Sequence, residues 1–166
     1  ASTADMFLGD DFHHNGAFRL SYAFEYAYLV ENIKESLSLF PFPQYDVFDW
    51  YLNLGGLSNV NEKYFKGKFS SWNDFVEHPN YDNYWKHQSS LTNIHAPEIP
   101  VLHVGGYYDP EDLMGPQVMY EHLEKKDTSN KNYMILGPWN HGQWSDEDGN
   151  TLGKIQFGSN TSEWFQ

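Results

Sequence analysis

Pro100 to Asp112, reading Pro-Val-Leu-His-Val-Gly-Gly-Tyr-Tyr-Asp-Pro-Glu-Asp, constrains the chain more than any other stretch. Val101 to Val104 is short, apolar and β-branched, as a strand covered on both faces should be, and it stops at two glycines. Beyond them Asp109 stands in the loop after the strand's C-terminal end. A helical pattern follows from Glu111 to about Lys126, with Leu113, Val118, Met119 and Leu123 on its apolar side and Lys125 and Lys126 suited to its C-terminal dipole. Tyr133 to Leu136 is a second apolar run, ending in Gly137-Pro138-Trp139-Asn140-His141-Gly142. Two strands joined by one helix lie parallel, and both ends then open on the sheet edge where open α/β sheets place ligands. Asp109 and His141 are therefore expected on one rim. An acid and then a histidine on consecutive strand ends is the second half of a Ser, Asp, His relay, although two ordinary loop residues would show the same spacing.

With 166 residues, 40% of them hydrophobic, the chain can fill one core. Its formal charge of −13 includes a single arginine, Arg19. Nucleic acid and anionic membrane surfaces are excluded as partners, because both need clustered Lys and Arg. A neutral or cationic ligand suits the charge. There is no cysteine, hence no disulfide and no thiolate metal site, and both secreted or periplasmic and cytoplasmic compartments remain open. No apolar run approaches the roughly 20 residues of a membrane span.

Before residue 97 the grammar is helical. Gly9-Asp10-Asp11-Phe12-His13-His14-Asn15-Gly16 reads as a polar loop whose Asn15 caps a long helix, Ala17 to about Leu39, broken by Phe40-Pro41-Phe42-Pro43. Asp46 to Leu54 is a second helix, ended by Gly55-Gly56. Asn61 to Phe65 is a third. Another begins at Ser70-Ser71 with serine capping and stops at His78-Pro79; Tyr81 to Gln88 is the last, and Leu152 to Phe157 is a short extended piece. The organisation expected is a lead-in over 1–15, a helical layer over 16–96 and a strand-helix-strand region over 97–166.

Four motifs carry a resemblance to a known family. Gly9 to Phe18, His78-Pro79-Asn80-Tyr81-Asp82-Asn83-Tyr84-Trp85, Val104 to Asp112 and Gly137 to Gly142 together resemble the α/β-hydrolases that include cocaine esterase, α-amino-acid ester hydrolases, glutaryl-7-ACA acylases and X-Pro dipeptidyl peptidases. The resemblance implies the fold class: α/β, the C-terminal part of a hydrolase core, with two parallel strands and a crossover helix, plus a mostly helical cap over the active site, together an incomplete domain. It implies that Asp109 and His141 are catalytic triad members of a serine esterase or acylase. The family's Gly-x-Ser-x-Gly elbow has no counterpart here, since Gly56-Leu57-Ser58-Asn59-Val60 lacks the last glycine and follows no strand. The chain is therefore expected to be an internal fragment, inactive alone, partnered by the remainder of its own polypeptide or by self-association through bare strand edges.

Substrate recognition is read more coarsely. Some α-amino-acid ester hydrolases hold the substrate ammonium with a carboxylate cluster, and the resemblance offers Asp82 for that role. The expected substrates are esters or amides, including α-amino-acid esters and β-lactam side chains. Tyr107, Tyr108 and Trp139 flank the triad residues and either line the acyl pocket or simply pack. Asp10, Asp11, His13 and His14 are adjacent pairs, which rarely converge on one ion, so no metal site and no cofactor is expected. An aromatic-rich binding module that has lost its serine is the alternative function.

Overall fold

The computed structural model describes residues 3–33, 38–146 and 148–165. The chain divides into two compact units, Phe18–Tyr84 on one side and Ala1–Ala17 with Trp85–Gln166 on the other.

The first unit is built around Phe24, which is fully buried in helix α1 (Leu20–Glu31). Its ring meets those of Phe40, Trp50, Tyr51, Phe65 and Trp72 at centroid separations of 4.8 to 5.9 Å. So many large flat rings give a small unit much apolar area per residue, which answers the high aromatic content. Helix α2 (Val47–Leu54) starts on Asp46, whose Oδ1 accepts the amide hydrogens of Phe48 and Asp49, and ends at Gly55 with φ of 79°. Left-handed backbone there suits glycine alone. One helical turn, Ser58–Val60, then runs into a π-helical stretch, Asn61–Phe65.

Asn15 does not cap α1: it lies in left-handed backbone at φ of 51°, and the capping position is Arg19, whose guanidinium sits 4.4 Å from the Tyr22 ring centre. The helix expected to reach Leu39 ends at Glu31, and residues 34–37 of that expectation lie outside the described residues. Serine does not cap α3 (Ser70–Glu77) either. The position before it is Phe69, whose side chain has no oxygen to offer. Glu31, at the end of α1, supplies the cap instead, accepting from the amides of Ser70 at 2.8 Å and Ser71 at 3.0 Å and from both hydroxyls. Burial works against its charge, but these four donors outweigh it and hold the carboxyl below its ordinary value.

In the second unit, β1 (Val101–Gly106) and β2 (Asn132–Gly137) pair in parallel, in register from Val101 opposite Asn132 to Gly106 opposite Gly137. Helix α5 (Gly115–Glu124) makes the crossover and packs on both strands, while α4 (Asn83–Gln88) lies earlier in the chain. Among the described residues this sheet has two strands. The covering of both faces expected of β1 holds only at its C-terminal end: Val104 to Gly106 are buried, whereas Leu102 is about half exposed, as is Tyr133 beside it in β2. Val104, Trp139 and Trp144 form the core under the strand ends, with Ile135 against them. The piece expected over Leu152 to Phe157 is a small antiparallel hairpin, Thr151–Leu152 with Ile155–Gln156. No described helix is long and apolar enough to cross a membrane.

Candidate active site

Asp109 is placed by backbone. Past the last paired residues, Tyr107 N donates to Gly137 O at 2.8 Å, Tyr108 N to Trp139 O at 3.0 Å, and Asp109 N back to Gly106 O at 3.2 Å. The loop after β1 is thereby laid along the segment that leads to His141. The glycines are needed for that approach. A β carbon on Gly106 would lie 2.1 Å from Trp139 O, and one on Gly137 would lie 2.4 Å from the Trp139 ring.

The side chain of Asp109 is then held from two directions. Its Oδ1 accepts the amide hydrogens of Glu111 at 2.8 Å and Asp112 at 3.0 Å, and its Oδ2 lies 3.0 Å from His141 Nδ1. The carboxylate is fully buried and the imidazole is about half exposed. A buried acid on one ring nitrogen of a half-exposed imidazole is the geometry that fixes a histidine's tautomer and orientation.

The amide hydrogen bonds that hold Asp109 also explain why α5 starts late. A turn over 109–112 replaces the expected first helical residues from Glu111, and the helix begins at Gly115 with Pro116 in its first turn. Its cap comes from far away in sequence, since Asp10 Oδ2 accepts from the amides of Met114 at 2.8 Å and Gly115 at 2.5 Å. Burial pushes the Asp10 carboxyl up, opposed by those same amides. His13 is buried elsewhere, its Nδ1 3.1 Å from Met6 O and its ring on Phe7 and Trp85. Asp10 and His13 thus serve different partners and do not converge on an ion.

Two acids around His141 escaped the reading of the sequence. Glu111 Oε2 lies 3.0 Å from His141 Nε2, and Asp112 Oδ2 lies 3.8 Å from Nδ1. Asp112 is buried and its Oδ1 makes no hydrogen bond. Burial, with the charges of Asp11, Asp109 and Asp10 adding to it and His141 opposing, pushes its carboxyl up to about 6. The signal was there in Asp-Pro-Glu-Asp, three acids in four residues, but which way each points depends on the turn that Asp109 makes. A cleft of about 180 Å³ opens beside this loop, lined by Asp109, Asp10, His14, Asn15, Leu113 and Met114 among others.

The remaining sequence candidates fall in different places. Tyr107 and Tyr108 are about half exposed beside Asp109, where they can meet a ligand. Trp139 is 2% exposed, packs on Val104 and Trp144, and donates from Nε1 to Thr161 Oγ1 at 2.8 Å, so packing accounts for it and it presents no open pocket wall. Asp82 belongs to the other compact unit. There its Oδ1 accepts Tyr84 N at the start of α4 and its Oδ2 lies 2.7 Å from His78 Nδ1. Among the described residues the acids within 4 Å of the His141 ring nitrogens are Asp109, Glu111 and Asp112.

The chain is similar to known proteins in sequence and in structure. The family model described as X-Pro dipeptidyl-peptidase (S15 family) matches residues 1–143. The crystal structure of an aminopeptidase from the marine sediment archaeon Thaumarchaeota archaeon is similar, with a TM-score of 0.90 and 34% identity over 99% of this chain and 27% of its own. An α-amino acid ester hydrolase is similar at a TM-score of 0.83 and 26% identity, over 98% of this chain and 27% of its own. No curated protein matches. The chain thus spans about a quarter of the length of the solved structures it resembles, and shares with them part of an α/β-hydrolase-type fold.

Proposed function

We propose, from the premise that this chain belongs to the X-Pro dipeptidyl-peptidase (S15) family, that it carries the acid and the base of a serine-type hydrolase that transfers acyl groups to water. The single observation behind this reading is the 3.0 Å contact between His141 Nδ1 and the fully buried Asp109. In the reaction, His141 Nε2 takes the proton of a serine hydroxyl as it attacks the substrate carbonyl, and returns it to the leaving alkoxide or amine. Asp109 holds the Nδ1 hydrogen, sets the tautomer and stabilises the imidazolium formed in between. The 166 residues contain no Gly-x-Ser-x-Gly elbow, so the nucleophile and the oxyanion donors belong to another part of the protein, and the segment by itself is inactive.

The proposed substrates are esters or amides of amino acids with a free α-ammonium group. Glu111 and Asp112 beside His141, with Asp10 and Asp11 adding to the negative field, suit a cation close to the scissile carbonyl. Two similar solved structures are those of an aminopeptidase and an α-amino acid ester hydrolase. Tyr107 and Tyr108 would border the acyl group, whereas Asp82, engaged with His78 and a helix start, is not needed for the cation.

The test uses the full-length protein. His141→Ala should abolish turnover of an amino-acid ester, and a serine-directed fluorophosphonate should label one serine outside these residues. Ester turnover by the isolated 19.4 kDa segment that is lost in His141→Ala would instead place the nucleophile within it.

A further inference from the structure

Asp109 holds one ring nitrogen of His141, which sets the direction of the imidazole but not the place of the backbone that carries it. That backbone lies past the sheet. Strand β2 ends at Gly137, Tyr108 N still reaches Trp139 O at 3.0 Å, and His141 stands two residues further on. Gly142 follows it in left-handed backbone, at φ of 76°. A side chain carried on such a corner meets a reacting atom reproducibly only if something else holds the corner still.

Gln143 holds it from both sides. Its backbone amide donates to Asn140 O at 3.4 Å, and its side-chain Oε1 accepts the Asn140 amide hydrogen at 3.2 Å. Residues 140–143 thus close into a turn with His141 second and Gly142 third, the place where a type II turn requires positive φ. The other end of the carboxamide is tied down as well, since Nε2 donates to Thr151 O at 2.8 Å, in the hairpin of Thr151–Leu152 with Ile155–Gln156. The two ends cannot exchange, because Asn140 N only donates and Thr151 O only accepts. At 7% exposure the side chain is buried, so water competes little for either bond. Gln143 is in effect a spacer of fixed length between the hairpin and the turn that carries the base.

Resting on the function proposed above, we propose that Gln143 is a positioning residue for the general base: it locks the 140–143 turn onto the 151–156 hairpin and so keeps His141 where a serine hydroxyl can reach its Nε2. Asp109 and Gln143 divide the task. The acid sets the tautomer and direction of the ring through Nδ1, and the carboxamide sets the position of the backbone behind it. Gln143 acts through His141 and takes no proton itself. Its contribution is large for so small a group, because a misplacement of about 1 Å between reacting atoms costs on the order of 100-fold in rate.

Gln143→Met keeps the length of the side chain and removes both of these hydrogen bonds. In the full-length enzyme, well below its unfolding midpoint, the variant should lower kcat on an amino-acid ester about 10- to 100-fold and leave KM within about threefold, since substrate binding is untouched. Thr161→Val is the control for stability alone. Thr161 Oγ1 accepts from Trp139 Nε1 at 2.8 Å and donates to Gly149 O at 2.6 Å, so its loss loosens the same C-terminal segment without opening the 140–143 turn. It should lower the urea midpoint while keeping kcat within about twofold of wild type. Equal losses of kcat in the two variants would make Gln143 a merely stabilising residue and overturn the proposal. Wild-type kcat in Gln143→Met, with turnover lost in His141→Ala, overturns the role of Gln143 alone, whereas turnover that survives His141→Ala removes the base itself. Should Gln143→Met fail to fold, hydrogen exchange in the wild-type enzyme decides. The Asn140 amide should exchange as slowly as that of Tyr108, and exchange at the rate of an open chain would mean that the turn is not closed and overturns the proposal.

Discussion

A β carbon on Gly106 would lie 2.1 Å from the carbonyl oxygen of Trp139. That oxygen also accepts the amide hydrogen of Tyr108, so the close approach and the loop that carries Asp109 are one construction. Gly106→Ala therefore cannot be absorbed by a flexible side chain, because backbone is what it meets. We expect a loss of about 3 kcal/mol or more of stability. Urea unfolding of the full-length protein checks it, and a change below about 1 kcal/mol would mean that the 137–140 segment can move aside.

Asp109→Asn should leave the fold nearly intact and remove most of the activity. An asparagine can still accept the Glu111 and Asp112 amides through its oxygen, but it then turns its NH2 group toward His141 Nδ1. The ring is forced to accept at Nδ1 and to carry its hydrogen on Nε2, which is the wrong tautomer for a base. A fall in kcat of about 10⁴ is expected from steady-state kinetics with circular dichroism unchanged. A fall of less than about tenfold would remove Asp109 from the relay.

The placement of Asp109 beside His141 was legible because its signals are local: two apolar runs, each stopped by glycine, with a helical pattern between them. What was not legible depends on contacts remote in sequence or on side-chain direction. Glu31 caps α3 from 39 residues away, and Asp10 caps α5 from 104 residues away. Asp109, by taking two amides of its own loop, delays α5 and turns Glu111 and Asp112 toward His141. Nothing in residue type or period announces such turns. The run Val101 to Val104 reads as covered on both faces although Leu102 is 49% exposed, because an apolar run states only what a segment would bury and not whether a neighbour is there to bury it.

Asp10→Ala would expose the cost of that remote cap. It leaves the amides of Met114 and Gly115 without the carboxylate they share, at a helix start that also bounds the cleft beside Asp109. A loss of about 2 kcal/mol is expected, at the upper end for caps because Asp10 is buried, with Asp10→Asn retaining much of it. The urea midpoint should shift without a change in slope. If Asp10→Asn is as damaging as Asp10→Ala, the charge of Asp10, and not its capping oxygen, is what the protein uses.

Asp112 makes the opposite kind of contribution, and its sign can be worked out. Its carboxyl is raised from 3.8 to about 6 in the folded protein, so between those values the native state holds a proton that the unfolded chain has released. Stability from this group falls as pH rises through that window, and above about 6 the buried charge weighs on the fold in full. Asp112→Asn removes the charge while keeping the shape. The variant should be more stable than wild type at neutral pH, by up to about 3 kcal/mol, and the gap should shrink by about half at pH 5. Urea midpoints of both proteins at the two pH values test this. A gap that does not change with pH would trace the effect to packing. A variant less stable at neutral pH would mean that a cation already accompanies Asp112 in the folded protein. If Asp112 instead behaves as expected and its replacement also abolishes the preference for amino-acid esters, then the protein keeps at its active site an ionised group that costs it stability, and the substrate's ammonium is the natural partner that relieves the cost.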